Sequence, residues 1–470
     1  MDGNDFEFSR ISKLFVDRDQ ADPDAILARR QRFKTTLLCG EDVARSYTLQ
    51  LAVLTAARIG VRCFPGAVKA VMPPEVAGAP LLVWPVLGLT FGGAVIQALG
   101  SISFCDDTDA ATGARLLFGD VPACGKALRV TFDGWIAKVG PSESTARLPE
   151  REHCSLAAIL AAALALSELF LAFADISIEA TRRVVGLSLW RPDLDIAESE
   201  ALGPLVEYLP AALWLLGLGH LGNAYLWTLA TLPYLDSSAV GFHLLDFDRV
   251  VPENIETGII FSSRDQRRLK TRATSGWLEA HGFQTRLIER RFDAAFRVGL
   301  DDANKEPVLA LCGFDSNPAR RALEFAGFRR VIDSGLGGMS SNFDTIGFHT
   351  WPNPRPSVEL WPELSEEQKW RQSAYQERVA RENVGYQRLN KDECGRFELA
   401  GKSVAVPFVG ATAASLVVAE VLRLLHGGPA YTDMKLSLGT LKDRAARSAG
   451  EYTAADTNGI AFTAARPANA

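Results

Sequence analysis

The sequence predicts an α/β protein made of two tandem, doubly wound (Rossmann-like) units with mostly parallel sheets. From residue 212 to residue 350, strand-like apolar segments alternate with helical segments, which is typical of parallel sheets covered by helices. Residues 37–47 (LLCGEDVARSY) and 215–225 (LLGLGHLGNAY) align without gaps, and both run from Leu-Leu to Tyr. This internal sequence similarity indicates a duplicated unit. The alternative is a chance similarity between two strand-to-helix turns.

The first unit, residues 1–200 with its linker, is predicted to be degenerate. Cys39, Glu41 and Ala44 occupy the positions that three glycines hold in the second copy, so the phosphate turn of the first copy is lost. The other features predicted for this unit are an apolar segment, a strand, a long apolar helix and a polar linker, at residues 81–99, 127–138, 155–174 and 191–200.

The second unit, residues 201–448, is predicted to be the active one. Its strands are expected at 212–217, 241–246, 285–289, 307–312, 329–333 and near 344–350. Its helices are expected at 221–233, 262–281, 317–327 and 411–425. The last residues, 449–470, are small and polar, which predicts a disordered tail.

Composition excludes several other classes of protein. The 470 residues are 47% hydrophobic and 23% charged, and the net charge of −6 gives no basic face for nucleic acid. Seven cysteines without a C-x-x-C pair argue against structural zinc and a disulfide framework, and they fit a cytoplasmic location. The polar N-terminus shows no secretory signal. The apolar stretches 155–174 and 403–425 each contain a Glu, which favours buried helices over membrane spans.

A glycine turn and an acidic strand tip are the central motifs. Gly217, Gly219 and Gly222 allow a tight turn and a close approach of backbone to phosphate, which the following helix binds with its free N–H groups. Asp246 ends the next strand and can bind ribose hydroxyls. Asp315 follows a third strand, so we expect all of these residues at the carboxyl edge of one sheet.

The residues after this tip resemble the adenylating domain of the ThiF/MoeB/ubiquitin-activating-enzyme family, over roughly 212–425. That family follows its glycine turn with D-x-D-x-V and an Asn, then an Arg, a Lys, and an Asp with an Arg five residues later. The matching residues here are Gly217, Gly219, Gly222, Asp246, Asp248, Val250, Asn254, Lys270, Asp315 and Arg320. Thr257 stands where the family usually has the first Arg. Arg264, Arg267, Arg268 or an arginine of the first unit could supply that charge.

The resemblance implies ATP and Mg²⁺ as cofactors. Asp246 would bind ribose, Lys270 and an arginine the phosphates, and Asp315 the metal, because adenylation brings a carboxylate to an anionic triphosphate and requires cations there. Without the resemblance, Lys270 reads as a solvated helix lysine and Asp315 as a helix cap. His220, inside the turn, is expected to be an exposed side chain without a catalytic role.

Cys394 is the candidate nucleophile, in a polar loop predicted near residues 385–402. Ubiquitin-activating enzymes carry their thioester-forming cysteine in a comparable loop, and a thiolate attacks an acyl-adenylate well. The alternative is an ordinary surface or packing cysteine. Cys312 and Cys39, at a strand end and in the first turn, are expected to be structural.

The resemblance therefore implies ATP-dependent activation of a ubiquitin-like protein, with transfer to a conjugating enzyme. The C-x-x-C pairs of many MoeB- and ThiF-like proteins are absent. The combination of a degenerate adenylation domain, an active one and a cysteine loop resembles bacterial activating enzymes from conjugation operons, some of which act in antiphage defence. The implied partners are a ubiquitin-like protein and a conjugating enzyme, a homodimer is allowed, and neither nucleic acid nor membrane is expected. The alternatives are a sulfur-carrier adenylyltransferase, an NAD-dependent oxidoreductase and a catalytically dead nucleotide-binding scaffold.

Overall fold

A computed structural model describes residues 9–83, 88–104, 113–299, 306–389 and 392–467. Seventeen strands in these ranges form two large sheets and one small one. The strands of the first large sheet are β1 (Lys34–Cys39), β2 (Ala67–Met72), β3 (Ser103–Phe104), β4 (Ala114–Phe118), β5 (Ala127–Asp133), β6 (Ile136–Pro141) and β7 (Val185–Ser188). Those of the second are β9 (Ala212–Leu216), β10 (Gly241–Leu245), β11 (Gln284–Ile288), β12 (Leu309–Cys312), β13 (Arg330–Leu336), β14 (Thr345–Trp351), β15 (Pro429–Ser437) and β16 (Ala445–Glu451). The small sheet pairs β8 (Tyr208–Pro210) with β17 (Phe462–Ala464).

The helices of the first half are α1 (Ser12–Asp19), α2 (Pro23–Arg30), α3 (Tyr47–Cys63), α4 (Pro74–Gly78), α5 (Phe91–Leu99) and α6 (Leu156–Phe173). Those of the second half are α7 (His220–Ala230), α8 (Pro252–Thr257), α9 (Lys270–Glu279), α10 (Asn317–Ala322), α11 (Ser357–Leu360), α12 (Glu366–Glu382), α13 (Val384–Gln387), α14 (Glu393–Gly401) and α15 (Pro407–Leu425).

The two large sheets share one strand order. The first runs β3-β2-β1-β4-β5-β6-β7, and the second runs β11-β10-β9-β12-β13-β14-β15 with β16 added at the edge. In both, the first five strands are parallel and the last two of the shared seven are antiparallel. In both, a long apolar helix (α6 or α15) connects the last two of these seven strands. The prediction of two tandem, mostly parallel α/β units is therefore confirmed.

The two units share one large hydrophobic core, and a second, smaller cluster lies within the second unit. Helix α6 packs against α3 and α15, and α15 packs against α7, so the longest helices lie between the sheets. Hydrogen bonds cross the junction, from the Tyr47 hydroxyl to the Thr231 carbonyl at 2.6 Å and from Trp227 Nε1 to Thr55 Oγ1 at 3.1 Å. The position of one unit is thus fixed by the other.

Both long apolar helices are long and hydrophobic enough to span a membrane. Within the structure, however, 89% of α6 and 94% of α15 is buried by the rest of the protein. Burial of this extent is typical of core helices. Their prediction as buried helices is confirmed.

The strands and helices predicted for residues 212–350 are all present, with ends that differ by a few residues, except that the charged helix begins only at Lys270. The segment 127–138 is not one alternating strand. Strand β5 is buried along its whole length, and the chain turns at Gly134 (φ +55°) into β6. Of the predicted apolar segment 81–99, residues 84–87 lie outside the described residues.

The predicted disordered tail contains secondary structure. Strand β16 pairs with β15, and β17 pairs with β8 next to the linker between the units. Tyr452 and Ile460 are buried, and the Tyr452 hydroxyl donates to Glu420 at 2.5 Å. Residues 468–470 lie outside the described residues. Small polar residues therefore do not prevent order here, because strand pairing and two buried side chains hold the tail.

Candidate functional site

The glycine turn has the geometry of a phosphate-binding turn. Gly217 follows β9 with φ +82°, a left-handed conformation that other residues rarely adopt. A Cβ on Gly222 would fall onto the Gly217 carbonyl oxygen, so only glycine fits that position. Gly219 caps α7 with no neighbour near the place of its missing Cβ. The eleven-residue helix α7, whose first N–H groups have no partner within the helix, therefore begins at a glycine with free space beside its Cα.

The acidic tip is bonded directly to this turn. Asp246 Oδ2 accepts a hydrogen bond from the Leu218 amide at 2.7 Å, and Oδ1 accepts one from the Asp248 amide at 2.8 Å. Burial raises the pKa of Asp246, while Lys270 and the two amides act in the opposite direction. The structure thus brings the residues predicted to bind phosphate and ribose together at one edge of the sheet.

Lys270 stands at the same edge as the first residue of α9. Its Nζ lies 2.9 Å from Asp248 Oδ2 and 3.9 Å from Asp246 Oδ2, and the residue is only 7% exposed. Its backbone amide donates to the Asp248 carbonyl at 2.9 Å, which fixes the start of α9 against the tip. A buried lysine held by two carboxylates is not the solvated helix lysine of the alternative reading.

Asp315 is exposed and directly follows two residues, Gly313 and Phe314, that contact β9 and the glycine turn. The Gly313 amide donates to the Leu216 carbonyl at 2.8 Å, and Phe314 lies against Gly217. The described residues contain no cluster of three metal-ligating side chains. A single free carboxylate beside a phosphate turn still suits Mg²⁺, which is commonly held by one or two carboxylates together with phosphate and water oxygens.

Two predicted cofactor-binding side chains are already engaged within the protein. Asn254 Oδ1 accepts from the Val251 amide at 3.1 Å and so caps α8. The partly buried Arg320 donates from Nη2 to the Ser334 carbonyl at 3.1 Å, and its Nε lies 3.4 Å from Asp333 Oδ1. Burial acts to lower the pKa of Arg320, but nearby Asp333 raises it on balance. The structure gives these two residues positions in the scaffold of the site.

The position that lacks the family arginine is filled internally. Thr257 is 2% exposed, and its hydroxyl donates to the Glu253 carbonyl at 2.8 Å. Arg268, one of the predicted substitutes, pairs with Asp265 at 3.1 Å and donates to the Arg272 carbonyl at 3.1 Å.

Arg10, which sequence reasoning did not single out, approaches the site from the N-terminal segment. Its amide donates to Glu256 Oε2 at 2.8 Å, and its Nε donates to the Ser403 carbonyl at 2.6 Å. Burial lowers the pKa of Arg10, and the nearby carboxylates of Glu253, Glu256 and Asp315 act to raise it. The sequence indicated only that the first unit could supply an arginine, without naming Arg10. Its position could not be read from the sequence, because the residues that Arg10 contacts are more than 240 positions away.

Two other residues differ from their predictions. His220 is not an exposed side chain: both ring nitrogens are buried, they have no hydrogen-bond partner among the described residues, and the ring lies against Gly410. Burial lowers the pKa of His220 to about 3. Cys394 is exposed, as a nucleophile requires, but it lies in helix α14 rather than in a loop. Within the described residues, no hydrogen bond or ion pair joins Cys394 to the turn.

The family of the chain follows from its matches to known proteins. Family profiles described as the BilD N-terminal domain and the BilD C-terminal domain match residues 34–189 and 209–428. A curated relative, the bacterial E1-like protein BilD of Collimonas sp. (strain OK412), is 35% identical over 441 residues, which is 92% of each chain. The chain belongs to the BilD family of bacterial E1-like proteins.

Solved structures show more distant similarity. E. coli MccB matches with a TM-score of 0.34 and 14% identity, over 52% of this chain and 63% of that one. E. coli MccB with ATP matches with a TM-score of 0.34 and 15% identity, over 51% and 64%. The matched part is less than two thirds of either MccB chain.

The BilD N-terminal domain presents an equivalent sheet edge with different residues. By strand register, Met72 takes the place of Asp246, and Asp120 takes the place of Asp315. A short 3₁₀ helix, Glu41–Arg45, replaces the glycine turn, and α3 begins only at Tyr47. Asp42 accepts from the Asp120 amide at 2.8 Å and pairs with Arg147. Carboxylates therefore bond backbone amides at both edges, but Asp42 bonds the amide of Asp120, whereas Asp246 bonds the amide of Leu218 within the glycine turn. Cys39 is the last residue of β1 rather than part of a turn, and Cys312 is buried in β12.

Proposed function

We propose that this protein uses ATP to activate a ubiquitin-like protein at its C-terminal carboxylate. The observation that supports the proposal is the contact between the glycine turn, Asp246 and Lys270 at one edge of the second sheet, because these are the residues to which we assign the binding of phosphate and ribose and the neutralisation of charge. Membership of an E1-like family supports the same activity.

The first step is adenylation. A carboxylate oxygen of the modifier attacks the α-phosphorus of ATP, a new P–O bond forms, and the bond to the β-phosphate breaks to release pyrophosphate. In this proposal Asp246 binds the ribose hydroxyls and the N–H groups of α7 bind phosphate oxygens. Lys270 exchanges its contact with Asp248 for the triphosphate, and thereby reduces the repulsion between two anions. Mg²⁺ held by Asp315 would supply further positive charge.

Arg10 takes the role of the arginine that Thr257 replaces. It lies close enough to Asp315 for their charges to interact, and Glu256 anchors its backbone. To reach a phosphate, the guanidinium gives up the Ser403 carbonyl, which is a neutral acceptor and therefore a weaker partner than an anion. The arginine of the second unit's site would then come from the N-terminal part of the chain, whereas its lysine, Lys270, belongs to the second unit itself.

The second step forms a thioester on Cys394. The thiolate attacks the carbonyl carbon of the acyl-adenylate, the S–C bond forms, and AMP leaves; a conjugating enzyme then accepts the acyl group on its own thiol. Cys394 is exposed in the first turn of α14, where helix N–H groups stabilise a negative charge. This step requires helix α14, which carries Cys394, to bring the thiol to the acyl-adenylate at the turn.

The first unit is proposed to be a degenerate copy that no longer binds nucleotide. Its shared strand order supports the common origin, and Met72 and Asp42 support the loss of the site. The two units would span residues 1–200 and 201–448, and the protein would act in the cytoplasm and, by family analogy alone, in an antiphage conjugation system.

ATP–pyrophosphate exchange in the presence of a purified ubiquitin-like partner tests the first step. Exchange that requires the partner's C-terminal glycine is expected. No exchange by folded protein with a partner of demonstrated binding would contradict the activity and leave only a nucleotide-binding scaffold.

The cysteine is tested with Cys394→Ala, with Cys124→Ala, a change at the partly exposed Cys124, as the matched control. Cys394→Ala should keep exchange and lose the thiol-sensitive adduct with the modifier, while Cys124→Ala should keep both. An adduct that survives in Cys394→Ala refutes the thioester assignment, and wild-type activity with no adduct at all favours a sulfur-carrier adenylyltransferase.

A further inference from the structure

The guanidinium of an arginine lies over a phenylalanine ring next to the acidic tip. Phe247 lies between Asp246 and Asp248, and its side chain is 43% exposed. The Arg291 guanidinium carbon lies 4.4 Å from the centroid of the Phe247 ring. Arg291 is itself exposed and forms no ion pair among the described residues. A planar cation on a flat aromatic ring presents a second flat face to the surroundings.

The backbone on either side fixes Arg291 at this edge. Strand β11 ends at Ile288, whose carbonyl accepts from the Asp246 amide at 3.3 Å. Phe292 is buried, and its ring centroid lies 5.2 Å from that of Phe314, which itself contacts Gly217. Arg291 is therefore held between the acidic tip and a residue that is packed on the phosphate turn.

The neighbouring Arg290 also lies over a phenylalanine ring, but that ring is buried in the hydrophobic core rather than exposed at the tip. The Arg290 guanidinium lies 5.2 Å from the Phe296 ring centroid and 3.8 Å from Asp293. Phe296 belongs to the hydrophobic cluster on one face of the sheet, whereas Phe247 is at the tip. Two adjacent arginines thus have the same chemistry and different surroundings.

We propose that Arg291, supported by Phe247, is the residue on which the base of the nucleotide stacks. Phosphate at the turn and ribose at Asp246 leave the base beyond the tip, where the free face of the guanidinium offers a planar, cationic surface for a purine ring. This inference rests on the proposed function, because it deepens the ATP site by naming the group that binds the adenine.

Nucleotide affinity in Arg291→Ala, Arg291→Lys and Arg290→Ala, measured by calorimetry with ATP and with tripolyphosphate, tests the inference. Loss of stacking should weaken ATP binding by about tenfold in both Arg291 variants and leave tripolyphosphate binding nearly unchanged. Arg290→Ala should behave as wild type. Phe247→Ala should reproduce about half of the effect in free energy, since it removes only the support of the guanidinium.

The outcomes separate this inference from the proposed function. An Arg291→Lys variant that binds ATP like wild type means that only charge matters, which overturns the stacking role. Equal weakening for ATP and tripolyphosphate overturns it as well. If the wild-type protein binds no ATP at all, the proposed function has failed first, independently of Arg291.

Discussion

The two sheet edges of this protein differ in what fills the space in front of the first strand. In the second unit, three residues separate β9 from α7, and helix amides and Lys270 face the edge. In the first, seven residues separate β1 from α3, and Asp42 and Arg147 form an internal ion pair there. The two sheets thus share one strand order while the segments after their first strands differ, because the strand core and the turn depend on different residues.

The largest expected difference between the two edges is in how strongly the removal of a positively charged side chain reduces activity. Lys270→Ala should reduce ATP–pyrophosphate exchange by at least about a hundredfold, since a preorganised charge next to the transferred group would be lost. Arg147→Ala removes the corresponding positive charge from the first edge and should leave exchange within about twofold of wild type. Equal losses in both variants would mean that the first unit takes part in the chemistry.

A second difference lies in the glycines. Gly217→Ala forces a left-handed residue at φ +82° to carry a Cβ, and about 1–2 kcal/mol of strain should appear as roughly tenfold weaker ATP binding. Ala44→Gly restores a glycine in the first turn, but it should create no second site because Asp42 still holds the Asp120 amide. Calorimetry measures both. ATP affinity unchanged by Gly217→Ala would contradict a phosphate role for this turn.

A smaller effect is expected from the arginine that joins the units. Arg10→Ala should lower exchange about tenfold, as expected for one charge-assisted hydrogen bond to a phosphate. Arg18→Ala, which changes an arginine of α1 bonded to Asp19, serves as the matched control and should leave exchange unchanged. If Arg10→Ala alters thermal stability but not exchange, Arg10 only fastens the N-terminal segment to Glu256.

The last effect is on stability rather than on activity, and it concerns pH and the residues aligned at the two turns, His220 and Asp42. The pKa of His220 is about 3 in the folded protein and about 6.5 when unfolded, so the unfolded state binds the extra proton and stability is lost as pH falls below about 6.5. Protonation of His220 in the unfolded state should by itself lower the free energy of unfolding by about 2 kcal/mol between pH 7 and pH 5.

In His220→Asn the fall of the unfolding midpoint between pH 7 and pH 5 should be correspondingly shallower than in wild type. Asp42→Asn should keep the wild-type dependence below pH 6.5 that arises from His220. Identical slopes in His220→Asn and wild type would show that His220 is not buried in its neutral form.

Much of the second unit follows from local sequence, whereas contacts between distant residues do not. The alternation of apolar segments and the glycine spacing predict β9, α7 and β10, and they place Asp246 beside the turn because parallel strands end at one edge. Arg10 could not be predicted, since its position depends on packing with residues more than 240 positions away. The burial of His220 depends in the same way on Gly410 of α15.

Three errors in the predicted secondary structure have identifiable physical causes. The hairpin of β5 and β6 was merged into one strand because Gly134 is a single weak turn signal between two apolar runs. Helix α14 was missed because its sequence is polar, and Asp392 starts it by accepting from the Gly395 amide at 2.8 Å. Strand β17 was missed because three residues pair with a distant partner, β8, that its own sequence does not specify.

The number and location of nucleotide sites test the difference between the two edges most directly. Equilibrium binding of labelled ATP, combined with mapping of peptides labelled by a photoreactive ATP analogue, reports both. One site per chain is predicted, with labelling confined to peptides of the second unit and abolished when Asp246→Ala is combined with Lys270→Ala. Two sites per chain, or one site that survives this double change and labels residues 34–80, would contradict the account.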